Sequence, residues 1–137
     1  MSSDCSASDG QARVLLVDDN ETILAHVQAT LTPACVIVGA VMDGQSALTA
    51  ATELRPDVIV LDISMPGLSG LQVASALRAQ GSTAAIVFLT VHHDAQFVDA
   101  AMQCGGTAYV VKQRIAADLL HAVEEARAGR PFISPRG

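Results

Sequence analysis

Four short apolar runs in this 137-residue chain end at residues that can bind a cation or an anion. The first run ends at Asp18 and Asp19, the third at Asp62, the fourth at Thr90 and the fifth at Lys112. Three carboxylates that converge within a few ångströms repel one another and favour a neutralising cation. Oxygen ligands completed by water suit Mg²⁺. A lysine and a hydroxyl beside such a metal make a phosphate-binding environment, so this set predicts phosphoryl chemistry with a carboxylate as nucleophile.

The runs that must position these residues are β-branched and alternate with amphipathic segments. We predict strands at 13–17, 35–41, 57–61, 85–89 and 108–111, and helices at 21–31, 44–54, 68–79, 95–104 and 115–128. Apolar strands in strict alternation with helices imply a parallel sheet that is covered on both faces and joined by right-handed crossovers. The fold class is therefore α/β, a doubly wound three-layer sandwich, in which ligands bind beyond the carboxyl ends of the strands.

Each of these polar residues also has an ordinary structural explanation. Asp19 or Asn20 could cap the first helix, whose free N–H groups need such an oxygen. Asp62 could open the turn at residues 64–67, because Asp is common before Pro and Gly. A threonine at a strand end and a lysine in a loop mean little singly. Only their convergence on one sheet edge favours a functional site.

The same residues, in the same order, resemble a known family. They are similar to the signature of two-component response-regulator receiver domains. The matching elements are the pair Asp18-Asp19, the segment Asp-Ile-Ser-Met-Pro-Gly that starts at Asp62, the residue Thr90, and the segment Tyr-Val-Val-Lys that ends at Lys112. The resemblance covers about residues 13–129 and implies a flavodoxin-like (βα)5 sandwich with strand order 2-1-3-4-5. Residues 129–135 are similar to the stretch that leads towards the DNA-binding domain in the LuxR/NarL-type helix-turn-helix class.

This resemblance implies a phosphorylation site and a metal site. Asp62 would accept a phosphoryl group from a sensor histidine kinase or a phosphotransfer protein. Asp19 and Asp62 would bind Mg²⁺ directly, and Asp18 would act through water. The backbone carbonyl of Ser64 would be the remaining protein ligand, and Mn²⁺ could substitute for Mg²⁺.

The resemblance also implies a switch. Lys112 and Thr90 would contact the phosphoryl oxygens, and Tyr109 would move inward after them. This movement would alter the face formed by helix 4, strand 5 and helix 5. That face would then signal to an output domain, a downstream protein or a second copy of the chain.

Two positions depart from the family pattern. The family most often has a cis proline after the lysine, whereas this chain has Gln113. A cis bond to a non-proline residue costs about 2.5–4 kcal/mol, so we predict a trans bond and an altered loop into helix 5. Val91 follows the threonine, where many members have Ala or Gly. Its bulk predicts slower phosphorylation or dephosphorylation.

Composition restricts the class of protein. Fourteen acidic residues against eight Lys and Arg give a formal charge of −6, which argues against direct nucleic-acid binding. Cys5, Cys35 and Cys104 have no disulfide or zinc spacing, so we expect reduced thiols in a cytoplasmic protein, the last two in the core. We expect no secretory signal and no membrane span. The expected division is a flexible tail at 1–11, a receiver domain at 12–129, and a tail or linker start at 130–137, either of a stand-alone receiver or of a longer regulator.

We interpret the chain as a signalling switch that assists its own phosphorylation and is not otherwise an enzyme. Two alternatives stay open. An aspartyl-phosphate phosphatase would place a second Asp two residues after the nucleophile, where this chain has Ser64. A pseudo-receiver would bind proteins without becoming phosphorylated. We interpret His92 and His93 as exposed loop residues rather than metal ligands. Helix 5 is expected to turn Asp118, with its other charged residues, towards solvent.

Overall fold

A six-stranded parallel sheet lies between two layers of helices in the computed structural model, which describes residues 11–32, 34–91 and 95–134. The strands are β1 (Arg13–Val17), β2 (Val36–Val41), β3 (Val58–Asp62), β4 (Ala85–Thr90), β5 (Ala108–Val111) and β6 (Phe132–Ile133). The helices are α1 (Glu21–Leu31), α2 (Gly44–Leu54), α3 (Gly70–Ala79), α4 (Ala95–Gln103) and α5 (Ile115–Arg127), with a 3-10 turn at Lys112–Arg114. The strand order β2-β1-β3-β4-β5-β6 confirms the doubly wound fold and adds one strand to it.

The central strands are buried on both faces, and their alternation divides the core into two parts. In β1, for example, Leu16 points to the side of α1 and α5, whereas Leu15 points to the side of α2 and α3. β3, β4 and β5 alternate in the same way. Because successive side chains of a strand point to opposite faces, a fully apolar strand needs a helical layer on each side.

The ends of the elements differ from the predicted bounds by one or two residues. Helix α3 begins at Gly70 rather than at residue 68 because Ser69 is its N-cap and forms a capping box with Gln72. Strand β3 runs from Val58 to Asp62 rather than from 57 to 61. The side chain of Asp57 accepts a hydrogen bond from the Arg13 N–H at the start of the sheet.

Three expectations about single positions need correction. Asp118 is buried, because its carboxylate binds Arg114 and Ser134 instead of facing solvent. Cys104 is only half-buried, although Cys35 lies in the core as expected. Phe132–Ile133 lies in the region expected to be a tail but pairs with β5. The predictions for Cys5, His92 and His93 concern positions outside the described residues.

Among residues 11–32, 34–91 and 95–134, the helices are all too short or too polar to pass through a lipid bilayer.

Candidate functional site

Asp18, Asp62 and Lys112 meet at the carboxyl edge of the sheet. Asp18 follows the last residue of β1, Asp62 is the last residue of β3, and Lys112 follows β5. The Lys112 ammonium lies 3.0 Å from Asp18 Oδ2 and 3.3 Å from Asp62 Oδ1. Both carboxylates are almost fully buried, whereas the lysine side chain is 17% exposed. Parallel pairing of β1 with β3 brings together residues that are 44 positions apart in the sequence.

The start of α1 leaves the carboxylate of Asp19 uncommitted to the helix. Asn20 is the N-cap, and its side chain accepts hydrogen bonds from the N–H groups of Thr22 and Ile23. Asp18 Oδ1 accepts the N–H of Asn20 at 2.9 Å. The capping role that the sequence left open thus belongs to Asn20, and Asp19 is exposed beside the buried pair.

The turn after β3 holds one oxygen of Asp62 and leaves the other without a partner. Oδ1 accepts the Ser64 N–H at 3.2 Å, which is the turn-opening role proposed for this residue. Oδ2 is buried and accepts no hydrogen bond from the described residues. Buried polar atoms normally have a partner, so such an atom requires an explanation.

A glycine lets helix α3 approach the backbone of Asp62. The Gly70 N–H donates to the Ile63 carbonyl at 2.8 Å. A Cβ at Gly70 would overlap the Asp62 carbonyl oxygen and lie 2.8 Å from the Ile63 Cα. Only glycine permits this contact, which fixes the backbone immediately after Asp62 against the first turn of α3.

The site carries more negative than positive charge. Burial, together with the negative charge of Asp18, raises the pKa of Asp62 to about 6, although Lys112 acts in the opposite direction. Burial by itself would lower the pKa of Lys112, but its hydrogen bonds and ion pairs with Asp18 and Asp62 outweigh burial and raise it. One ammonium therefore does not neutralise the buried carboxylates.

The acidic groups fit a divalent cation. Asp18, Asp19 and Asp62 each offer a carboxylate oxygen, and these oxygens all lie within 4.8 Å of one another. Asp18 Oδ2 is buried and pairs with the Lys112 ammonium, whereas Asp62 Oδ2 is buried and accepts no hydrogen bond from the described residues. Mg²⁺ binds oxygen ligands at about 2.0–2.1 Å and keeps several waters. The donor set and its spacing suit such an ion.

Thr90 and Tyr109 lie on the neighbouring strands. Thr90 is the last residue of β4 and is buried; in the β4–β5 register it pairs with Val111, next to Lys112. Tyr109 is fully buried among the residues packed on the α2 and α3 side of the sheet. Val91 follows Thr90 and is 59% exposed at the same edge.

The structure brings together most of the residues predicted from sequence. The carboxylates of Asp18, Asp19 and Asp62 and the ammonium of Lys112 form one cluster. The N–H of Ser64 contacts Asp62, while the role of the Ser64 carbonyl stays a prediction. Sequence reasoning missed the ion pair between half-buried Arg114 and buried Asp118, which begins two residues after Lys112. The available signal was their spacing of four residues across the start of the helix predicted at 115–128.

Sequence comparisons place the chain among response regulators. Residues 14–124 match the family model described as the response regulator receiver domain. The chain is 38% identical over 112 residues to the transcriptional regulatory protein PrrA of Mycobacterium tuberculosis, which covers 82% of this chain and 48% of PrrA. It is 32% identical over 125 residues to the nitrate/nitrite response regulator protein NarL of Escherichia coli, which covers 90% of this chain and 58% of NarL. The chain thus spans about half the length of the curated relatives it matches.

Solved structures agree with this result. The signal receiver domain of the response regulator NarL from Mycobacterium tuberculosis superposes with a TM-score of 0.83 at 30% identity, covering 88% of this chain and 98% of that one. A LuxR-family two-component response regulator from Aurantimonas sp. gives a TM-score of 0.87 at 30% identity, covering 91% of each chain. Both belong to the class that the C-terminal segment led us to expect.

Proposed function

We propose, because this chain belongs to the response regulator receiver domain family, that Asp62 accepts a phosphoryl group in a Mg²⁺-dependent reaction. The observation that carries this proposal is the unequal hydrogen bonding of the two oxygens of the Asp62 carboxylate. Oδ1 is held by Lys112 and the Ser64 N–H, whereas Oδ2 is buried without a partner among the described residues. An oxygen that is fixed in place but not hydrogen-bonded is suited to binding a metal ion or attacking phosphorus.

The metal ligands we propose are Asp19 and Asp62, with Asp18 acting through water and the Ser64 carbonyl completing the protein ligands. When bound, Mg²⁺ would supply the positive charge that one lysine does not, on the carboxylates and on the incoming phosphoryl group. Mn²⁺ would substitute, because it also prefers oxygen ligands. The oxygen spacing of at most 4.8 Å supports this assignment.

In the transfer step, a carboxylate oxygen of Asp62 forms a bond to phosphorus while the P–N bond of a phosphohistidine breaks. The electron pair of that bond goes to the imidazole nitrogen of the donor. Lys112 would hold a phosphoryl oxygen, since its ammonium already lies within 3.3 Å of Asp62. Thr90 would contact another oxygen, and Tyr109 would respond. The chain thereby acts as a signalling switch rather than as an enzyme with a separate substrate.

The donor we propose is a sensor histidine kinase or a phosphotransfer protein in the cytoplasm. The receiver would pass the signal through the face formed by α4, β5 and α5 to an output domain, a downstream protein or a second copy of the chain. PrrA and NarL, which are named as regulatory proteins, are about twice as long as the part that matches this chain.

Intact-mass measurement with a small phosphodonor tests the proposal. The protein is incubated with acetyl phosphate and Mg²⁺, with and without chelator, and compared with Asp62→Asn. We expect a metal-dependent, base-labile phosphoryl adduct on the wild type and none on the variant. Asp57→Asn is the matched control, because Asp57 precedes the same strand at the opposite edge of the sheet.

The alternatives give different results. Repeated release of phosphate from varied phosphomonoesters would indicate the phosphatase. No adduct from any donor would indicate a pseudo-receiver and contradict the proposal. An adduct that persists in Asp62→Asn would show that another residue is the acceptor.

A further inference from the structure

The chain returns to the sheet after α5 and covers the open edge of β5. Strand β6 is parallel to β5, with Phe132 opposite Ala108 and Ile133 opposite Tyr109. A two-residue strand makes few ladder hydrogen bonds, so other contacts must hold it. We call residues 130–134 the strap, because they cross the edge of the strand that leads to Lys112.

Ser134 fastens the inner end of the strap to β5. Its N–H donates to the Tyr109 carbonyl at 2.8 Å, and its hydroxyl oxygen accepts the Val111 N–H at 3.2 Å. The side chain is buried. These contacts fall on the two residues that flank Val110, and Val111 is covalently joined to Lys112.

Asp118 ties the same serine to the turn that carries Lys112. The Ser134 hydroxyl donates to Asp118 Oδ2 at 2.9 Å. Arg114 binds both oxygens of that carboxylate, at 2.6 and 3.2 Å. The hydrogen bond from Arg114, and also the one from Ser134, lower the pKa of Asp118, so it accepts both bonds as a carboxylate at neutral pH. Lys112 and Arg114 lie at the two ends of one 3-10 turn of three residues. This turn therefore connects the site, through Lys112, with the strap, through Arg114 and Asp118.

The outer end of the strap rests on the surface of α5. Arg130 binds Glu125 through two hydrogen bonds of 2.9 Å. The ring of Phe132 packs edge-on against that of His121, with 5.1 Å between the centroids. The ion pair is largely exposed and contributes little to stability, whereas Phe132 is partly buried against the apolar core. The buried contacts of Ser134, together with the packing of Phe132, therefore hold the strap in place.

We propose that docking of the strap opposes phosphorylation of Asp62, so that phosphorylation loosens the strap and a loosened strap favours the phosphorylated state. This inference rests on the proposed function. In the structure, a docked strap coexists with Lys112 bound to both Asp18 and Asp62.

A phosphoryl group on Asp62 would draw the ammonium away from these carboxylate oxygens and shift the turn at 112–114. The hydrogen bonds at Val111 and Arg114 fit the arrangement in which Lys112 is paired with Asp18 and Asp62, so a shift of the turn weakens them. Because linkage is reciprocal, removing the same bonds must favour the phosphorylated state by an equal factor.

Hydrogen exchange with mass spectrometry, combined with equilibrium titration, tests this coupling. The probe is beryllium fluoride with Mg²⁺, which imitates the phosphoryl group and binds reversibly. We expect residues 130–134 of the wild type to exchange at least about fivefold faster when the probe is bound. In Ser134→Ala, exchange should be fast without the probe, and the affinity for the probe should rise by a similar factor.

Asp118→Asn is the second variant, and Ser75→Ala, at an exposed serine of α3, is the matched control. Circular dichroism shows whether each variant is folded, and Asp118→Asn keeps the test valid if Ser134→Ala is not. The coupling would be overturned, and the proposed function left intact, by either of two results. One is equal hydrogen exchange of the strap with and without bound probe; the other is a pair of variants that bind the probe no more tightly than Ser75→Ala does. Failure of the wild type to bind the probe and to form a phosphoryl adduct would overturn both.

Discussion

The two edges of the sheet use charged side chains in opposite ways. At the amino edge, the guanidinium groups of Arg13 and Arg78 donate hydrogen bonds to backbone carbonyl groups of the loops. The acceptors are the carbonyls of Leu54 and Arg55 for Arg13 and those of Ser82, Ala84 and Gly105 for Arg78, at 2.7–3.0 Å. The carboxylate of Asp57 accepts the Arg13 N–H at the same edge. We call this edge saturated, because each of these charged groups has backbone partners.

At the carboxyl edge, charge is concentrated rather than distributed. Asp18 and Asp62 are buried beside one lysine, and Asp62 Oδ2 accepts no hydrogen bond from the described residues. Such a cluster costs stability unless a ligand neutralises it. The comparison indicates that the amino edge stabilises the fold, whereas the carboxyl edge is left unsaturated, as the proposed binding of metal and phosphoryl group requires.

The largest effect should come from removing one basic side chain from each edge. Lys112→Met removes the only ammonium that contacts Asp62 among the described residues, so phosphorylation by acetyl phosphate should slow by about 100-fold. Arg78→Met is the matched control. It should leave the rate within about twofold but lower the free energy of unfolding by about 2 kcal/mol, because three partly buried carbonyl groups lose a charged donor.

Rates from intact mass and stabilities from urea denaturation measure both quantities. A large loss of rate in Arg78→Met, with the protein folded, would contradict the division of roles between the edges. So would a normal rate in Lys112→Met.

The second largest effect should be a rise in the free energy of unfolding when the charge of Asp62 is removed from the carboxyl edge. Burial raises the pKa of Asp62 to about 6, above its ordinary value of 3.8. The metal-free folded protein therefore prefers the protonated carboxyl, and this contribution to stability is lost as the pH rises from about 4 through about 6. Asp62→Asn should raise the free energy of unfolding at pH 7 by about 2 kcal/mol in the presence of chelator.

The same denaturation series with Mg²⁺ provides the internal check. Metal binding should stabilise the wild type and reduce its difference from Asp62→Asn. Asp57→Asn should show no such gain, because its carboxylate accepts a backbone N–H at the saturated edge. A metal-free Asp62→Asn protein that is less stable than the wild type at pH 7 would show that Lys112 already compensates the buried charge.

The sequence was sufficient, for a physical reason, to predict the five main strands and the residues at their ends, whereas their order in the sheet was implied only by the family resemblance. Apolar runs such as Val58–Asp62 can only be central strands, and residues at the ends of parallel strands must share an edge. Contacts that depend on exact side-chain geometry could not be predicted in this way. The choice of Asn20 over Asp19 as the cap of α1 was left open, although either residue type was suitable.

No comparable signal in the sequence predicts β6. A two-residue strand is shorter than any periodicity can reveal, and its position depends on the buried bonds of Ser134 as well as on the packing of Phe132 against the core. Asp118 was assigned to solvent because charged residues usually lie there. Its burial depends on two partners, Arg114 and Ser134, and the second lies 16 residues further along the chain.

The smallest expected effect concerns the apolar residue at the unsaturated edge. Val91 is 59% exposed and directly follows Thr90 at the carboxyl edge, so we expect its branched side chain to obstruct a donor that approaches Asp62. Val91→Ala should increase the rate of phosphorylation by a few-fold, because it removes bulk without removing charge. Its effect on stability should stay within about 0.5 kcal/mol, since an exposed valine buries little apolar surface. Val36→Ala, at an exposed valine of β2, is the matched control and should leave the rate unchanged. Faster phosphorylation of the wild type than of Val91→Ala would show that the valine assists the reaction, for example by excluding water, rather than obstructing it.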